Sequence, residues 1–429
     1  MNESLSLSAA NPSPSEAASP SGGFCQSIVL DALKQMNLGC LRLTIPGQPE
    51  QVIGTVGAEV SADLRVCRAD FFKKCVLFGD VGFAESYIEG DWETSSIERV
   101  IAWIILNLKN APGASGSKAR RFALNIFKGY NRLLHLVRPN SISTSRRNIS
   151  EHYDLGNDFY KLWLDATMTY SSAFFTAPEQ TLESAQEAKY EALCRKLKLR
   201  TKDHLLEIGC GWGGFSVHAA RHHGCRVTGV TISREQFAYA TERVVREGLR
   251  DRIEIRLQDY RHIEGQFDKI ASIEMMEALG DRYLQTFFAA INRLLSPDGL
   301  VALQYITVPD SRHADLRKNI DFIQKHIFPG SLLLSVGRVN EAINRTSDLF
   351  LHQLEDFGAS YARTLRLWWK QFNSRIEEVR QMGFDARFIR KWNYYLQYCE
   401  AAFAMRNISV VQACYTRPNN LALHERHAD

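Results

Sequence analysis

Eight residues carry the clearest chemistry in the sequence. Glu207-Ile208-Gly209-Cys210-Gly211-Trp212-Gly213-Gly214 follows an apolar run and precedes a helical pattern. Glycine lets a backbone turn sharply and approach a ligand closely. The spacing is G-x-G-x-G, not the G-x-G-x-x-G of dinucleotide sites. An acid, Glu207, stands two residues ahead of the first glycine. A carboxylate there suits a ligand with an ammonium group and repels a pyrophosphate, so Glu207, Gly209, Cys210, Gly211 and Gly213 favour S-adenosylmethionine over a nicotinamide cofactor. The next apolar run ends Gly229-Val230-Thr231-Ile232-Ser233, with Gln236 three residues on. No acid is present to grip ribose hydroxyls, which leaves that role to the Thr231 hydroxyl and the Gln236 amide. A third run ends Gln258-Asp259-Tyr260. Asp259 is placed to accept from an adenine amino group and Tyr260 to stack on the ring; the competing reading of Asp259 is a helix N-cap.

These residues need a frame. His204–Ile208, Arg226–Val230, Ile253–Leu257, Phe267–Ile273 and Leu300–Tyr305 read as strands. Phe215–Arg221, Arg234–Glu247 and Tyr283–Leu295 read as helices between them, the last stopped by Pro297-Asp298-Gly299. Strands separated by helices in this rhythm predict an α/β fold with a doubly wound, Rossmann-like parallel sheet. From Arg312 onward the chain is rich in aromatics and is expected to insert into or cover that sheet. Ahead of it, Ile28 to Met36 reads as a helix, Cys40–Ile45 and Ala62–Cys67 as strands, and Phe78 to Trp92 as a helix between turns. They predict a small α+β unit over residues 24–110. Residues 1–23 are Ser/Pro/Ala-rich and read as a disordered tail.

The 429 residues exceed the usual size of one domain. The composition, 45% hydrophobic and 23% charged, excludes a mainly disordered or collagenous chain. Nine cysteines are scattered with no CxxC pair and no zinc-finger spacing, so free thiols and no metal site are expected. No signal peptide or transmembrane run stands out, which predicts a cytoplasmic protein. The net charge is only +4, but it is unevenly placed. Arg99 to Ser150 holds ten bases and no acid, interleaved with Trp103, Phe122, Phe127 and Tyr130. A basic amphipathic segment over 111–149 suits an anionic membrane surface. The alternative is a linker helix with a solvated basic face. No nucleic-acid motif accompanies the charge, so no nucleic acid is expected.

In this setting the residues resemble the cyclopropane-fatty-acyl-phospholipid synthases and the mycolic acid cyclopropane synthases. The resemblance covers nearly everything after residue 70. Its motifs are Gly79 to Trp92, Ser150 to Thr176, the Gly-Cys-Gly-Trp-Gly loop, Thr231 to Gln236, Gln258 to Tyr260, Phe357 to Trp369 and Tyr395 to Asn407. It implies a class I S-adenosylmethionine-dependent methyltransferase over residues 150–429, behind a small lipid-binding-like N-terminal domain. It sets Tyr170 and Ser171, in the segment that folds over the cofactor, among the cofactor residues. The implied reaction is attack of a cis double bond on the sulfonium methyl group, followed by proton removal by a bound bicarbonate and ring closure.

The family's bicarbonate-holding positions fall on Glu277, Tyr361, Cys399, Ser172 and Gln304. Two depart from the pattern, with Ser172 where the family has Cys and Gln304 where it has His. Glu277-Ala278-Leu279-Gly280 replaces Glu-His-Val-Gly. A His-to-Gln change removes a titratable group. A hydride shift before proton loss would give a methylene- or methyl-branched chain, as in relatives with Glu-Ala-(Val/Leu)-Gly. Without the resemblance, Cys399 on its apolar helix reads as core. The implied partners are phospholipid acyl chains at the inner membrane face, with a homodimer left open. Rival readings are a small-molecule N-methyltransferase on the same fold and a lipid-binding paralogue without catalysis.

Overall fold

The computed structural model describes residues 20–110, 155–317 and 321–423. Most of the expected tail and the basic segment over 111–149 lie outside them.

The N-terminal unit runs α1 (Pro20–Gln35), β1 (Cys40–Thr44), β2 (Gln51–Gly54), β3 (Ser61–Val66), α2 (Asp70–Ile88), β4 (Trp92–Glu93) and α3 (Ile97–Leu106). Its sheet has the order β2-β1-β3-β4. β1 alternates buried and exposed positions, as the sequence period requires of a strand with one wet face. The expected helix from Phe78 is part of the longer α2, which breaks at Gly79, where φ is 58°. The Ser96 hydroxyl caps α3 by accepting from the Arg99 amide.

The large unit contributes α4 (Asn157–Lys161), α5 (Leu182–Lys196), β5 (His204–Ile208), α6 (Gly214–His223), β6 (Arg226–Thr231), α7 (Arg234–Arg246), β7 (Ile253–Leu257), β8 (Phe267–Ile273), α8 (Leu284–Leu294) and β9 (Leu295–Thr307). Then come α9 (Asp310–Leu316), α10 (Phe322–His326), α11 (Val336–Asn344), β10 (Phe350–Asp356), α12 (Gly358–Ser374), α13 (Ile376–Gln381), α14 (Ala386–Ala404) and β11 (Ser409–Thr416). The sheet order is β10-β11-β9-β8-β5-β6-β7. The β7-β6-β5-β8-β9 part is parallel, and β11 runs antiparallel to β9 and β10. β5 and β8 are largely buried, which is why they read as apolar runs rather than alternating ones.

One expectation is corrected. The fifth strand does not start at Leu300: the helix ends at Leu294, and β9 begins at Leu295 and passes through Pro297-Asp298-Gly299, with a register shift against β8 between Phe267 and Lys269. A bulge absorbs a proline and a tight turn that a regular ladder would reject. The apolar core is continuous across residue 110. One apolar cluster contains Trp92 and Trp103 from the N-terminal unit together with Trp163, Trp368 and Trp392 from the large one.

Candidate active site

The glycine loop leaves the carboxyl end of β5 and starts α6, the position where open α/β sheets bind ligands. Gly209, Gly211 and Gly213 have φ of 83°, 53° and 81°. A Cβ on Gly209 would meet Met275 at 2.8 Å, and one on Gly213 would meet Ala240 at 3.2 Å. A Cβ on Gly211 would point into open space. The first and third glycines therefore allow close packing, and the middle one leaves room for a ligand. Cys210 is buried, with its thiol against the Gly211 carbonyl at 3.8 Å.

Glu207 is buried and accepts a hydrogen bond from the Ser216 hydroxyl. Burial pushes its carboxyl up to about 8, against the opposing pull of Ser216 and the Lys189 charge. An arriving ammonium group would favour the charged form. At the end of β6 the Thr231 hydroxyl donates to Gln236 Oε1 at 2.8 Å, and the Ser233 hydroxyl caps α7. Asp259 caps a short 3₁₀ turn and binds Arg261 through both oxygens, at 2.8 and 2.7 Å. Its N-cap role is therefore present in the structure. Tyr260 is buried edge-on against Phe287, with its hydroxyl unpartnered among the described residues. These groups fit S-adenosylmethionine: a deep acid, an open glycine turn, and a hydroxyl–amide pair on the second strand.

The acid–base residues gather at the carboxyl ends of β8 and β9. Glu277 is 9% exposed. Its Oε1 accepts from the Ile306 amide at 2.5 Å, and its Oε2 has no partner among the described residues. Burial, and then the charge of Glu274, pushes its carboxyl up to about 8. Tyr361, Gln304 and Ser172 do not converge on Glu277. They converge on Glu274. The Tyr361 hydroxyl donates to Glu274 Oε2 at 2.7 Å. Gln304 Nε2 and the Ser172 amide donate to Glu274 Oε1 at 2.8 and 2.9 Å. Gln304 is held in turn by Gln412 Nε2, which donates to its Oε1 at 3.0 Å. The Ser172 hydroxyl donates to the neighbouring Ala173 carbonyl instead.

Glu274 was not singled out in the sequence, although it stands three residues before Glu277 at a strand end. Its φ is 47°, a left-handed conformation that costs a non-glycine residue about 1 kcal/mol or more. Burial raises its carboxyl, while Gln304, Tyr361, Lys189 and the Ser172 amide oppose the rise. Lys189 is also new. It is buried, donates to the Ser171 hydroxyl at 2.7 Å, and is lowered to about 7 by burial.

Tyr170 joins the Tyr395 hydroxyl at 2.8 Å and packs against Trp163 and Trp368, with centroids 5.4 Å from each. Tyr361 packs on Phe403 at 4.3 Å. Cys399 lies near Tyr361 and Tyr395 on α14, and burial pushes its thiol far above the ordinary range. The bicarbonate implied by the resemblance does not fit this arrangement, because Glu274 already takes the donors of Tyr361, Gln304 and Ser172.

No zinc spacing was visible in the sequence, yet Glu191, Cys194, His218 and His223 present ligand atoms within 4.8 Å of one another. His218 and His223 both approach Glu191 Oε2, at 3.4 and 3.1 Å. The packing of α5 on α6 brings the four side chains together.

The mycolic acid cyclopropane synthetase family matches residues 140–413. The chain belongs to that family. The chain is 37% identical to a tuberculostearic acid methyltransferase of Mycobacterium tuberculosis, over 78% of each chain. It is 36% identical to the cyclopropane-fatty-acyl-phospholipid synthase of Escherichia coli, over 84% of this chain and 90% of that one. A crystal structure of the mycolic acid cyclopropane synthase CmaA1 with SAH and CTAB superposes with a TM-score of 0.59 at 30% identity. That match covers 63% of this chain and 98% of the other. This family member is accordingly a class I S-adenosylmethionine-dependent methyltransferase. The family moves a one-carbon unit onto unsaturated lipid chains.

Proposed function

We propose that the chain adds one carbon from S-adenosylmethionine to the cis double bond of phospholipid acyl chains, with a cyclopropane as product. The observation that carries this reading is the cluster of half-buried Glu274 with buried Glu277, Tyr361 and Gln304, set next to the glycine loop through the Gly209–Met275 contact. The cofactor supplies an electrophilic methyl group when bound. Glu207 meets its ammonium group, Thr231 and Gln236 its ribose, and Asp259 and Tyr260 its adenine. Alkylation of an alkene leaves a carbocation, which ring faces stabilise by up to about 2 kcal/mol each when water is excluded. Trp368 packs against both Tyr170 and Tyr361, and the three supply such faces beside the acids.

A methylene- or methyl-branched product is the second reading. The titratable group is absent at position 304, where Gln304 binds Gln412 and Glu274 instead. A relative at 37% identity is named a tuberculostearic acid methyltransferase.

The substrate reading puts the chain on the inner face of an anionic membrane, a surface that the ten bases and no acid of Arg99 to Ser150 would suit. Each base near such a surface contributes about 1 kcal/mol, and salt screens it. No helix among the described residues is long and apolar enough to cross a membrane.

Mass spectrometry tests the whole reading. The chain is incubated with S-adenosylmethionine and vesicles of unsaturated phosphatidylglycerol. A gain of one CH₂ per acyl chain is expected, reduced by high salt and by zwitterionic vesicles. Resistance of the product to hydrogenation identifies the ring, and reduction identifies the methylene branch. Unchanged lipid in all vesicles would refute the substrate reading.

A further inference from the structure

Three of the five positions that the resemblance assigns to a bicarbonate donate instead to a side chain of this protein. The Tyr361 hydroxyl, Gln304 Nε2 and the Ser172 amide all donate to the Glu274 carboxylate, at 2.7, 2.8 and 2.9 Å. A carboxylate and a bicarbonate present the same planar pair of oxygens to such donors. Glu274 keeps partial exposure, while Gln304 and Ser172 beneath it are wholly buried. It holds this place at the expense of a left-handed backbone, φ 47°. Strain of this kind at a site is maintained when the surrounding structure enforces it.

We propose that Glu274 is the base of the reaction, replacing a bound bicarbonate with a carboxylate of the chain itself. This rests on the alkylation reading above. In the first step the sulfur–methyl bond breaks and the alkene π pair forms the new carbon–methyl bond, leaving a cation on the neighbouring carbon and a neutral thioether. In the second, a Glu274 oxygen takes one proton from the new methyl group. The released C–H pair closes the ring onto the cation. If a hydride has first moved the cation onto the methyl-bearing carbon, the same pair forms a carbon–methylene double bond. Glu274 then passes its proton to solvent. No oxidant or reductant is needed.

The surroundings keep Glu274 ready for this step. Glu277 is the group of the pair that holds a proton at neutral pH, because burial and the Glu274 charge both raise it. Burial raises the Glu274 carboxyl, and the three donors and the Lys189 charge oppose that rise.

The test uses the full chain, S-adenosylmethionine and unsaturated phosphatidylglycerol vesicles in buffer stripped of carbon dioxide. The parent is expected to turn over at the same rate with and without added bicarbonate. Glu274→Gly tolerates the left-handed backbone and vacates the donors. It should lose roughly 10²-fold or more in turnover, keep its S-adenosylmethionine affinity by calorimetry, and recover in part with bicarbonate or formate. Glu274→Gln fills the same space and should be equally slow with no recovery. A parent that stops in stripped buffer and resumes with bicarbonate would overturn the proposal. So would Glu274→Gly running at the parental rate without an added anion. A parent that methylates no lipid in either buffer instead overturns the alkylation reading, and this proposal with it.

Discussion

Glu277 and Glu274 stand three residues apart and have different partners. Glu274 has three donors, and Glu277 has one amide and a bare oxygen. This has a consequence for stability. The folded-state value of Glu277 is about 8, above the unfolded value near about 4.3. The folded chain therefore keeps a proton that the unfolded chain releases. Stability from this residue is fully present below the unfolded value and is lost as pH rises toward the folded one. Ligand-free parent protein should lose stability between about pH 5 and 8, and Glu277→Gln should lose less, by about 1 kcal/mol or more. Chemical denaturation at both pH values checks this, and parallel curves would refute it. At this scale the glycine loop was legible, because positive φ leaves a mark in residue type. The role of Glu274 was not. A carboxylate at a strand end is visible, but which donors reach it depends on Tyr361 and Gln304, from other elements.

The elements show the same division. β5 and β8 begin and end where their apolar runs do, because strands buried in a parallel sheet are marked by composition. β10 and β11 were not assigned, although the aromatic-rich region was expected to insert into or cover the sheet. β10 is mostly exposed and reads as polar, and β11 is defined by its pairing with β9 across about a hundred residues of chain. α14 joins the units. Arg390 Nε and Nη2 donate to the carbonyls of Tyr87 and Trp92, at 2.7 and 3.1 Å, and its guanidinium lies 4.1 Å over the Tyr87 ring. Arg390→Ala strands two carbonyls and removes a cation–ring contact. It should destabilise the chain by about 1–3 kcal/mol, read as a lower urea midpoint at unchanged slope. A midpoint within error of the parent would show that water replaces both bonds without loss.

Across the whole molecule, sequence composition suggested a boundary near residue 110, and the folded core crosses it. A low-acid, glycine- and proline-containing stretch marks a connection in the chain, but it does not show whether the units on either side share a core. Here they do. Trp92 stacks near Phe83 and Tyr87, Tyr87 meets Tyr394 at 5.8 Å, and Tyr394 meets Phe322 at 4.8 Å. Glu85 receives Lys325 at 2.7 Å and His326 at 2.8 Å, and Gln397 accepts from the Glu98 amide at 3.2 Å. The helix that carries Tyr395 and Cys399 toward the site is thus the one whose other side packs on α2 and α3. Units sharing one apolar core unfold together, since neither can expose its face alone without losing burial of about 25 cal/mol per Å². Calorimetry of the full chain should give one transition, with calorimetric and van't Hoff enthalpies equal. A chain begun at residue 111 should melt at lower temperature, bind more of a hydrophobic dye and lose methyl transfer. Two resolved transitions in the full chain, with the later one unchanged after truncation, would show that the N-terminal unit is an independent domain and that α14 holds the site without it.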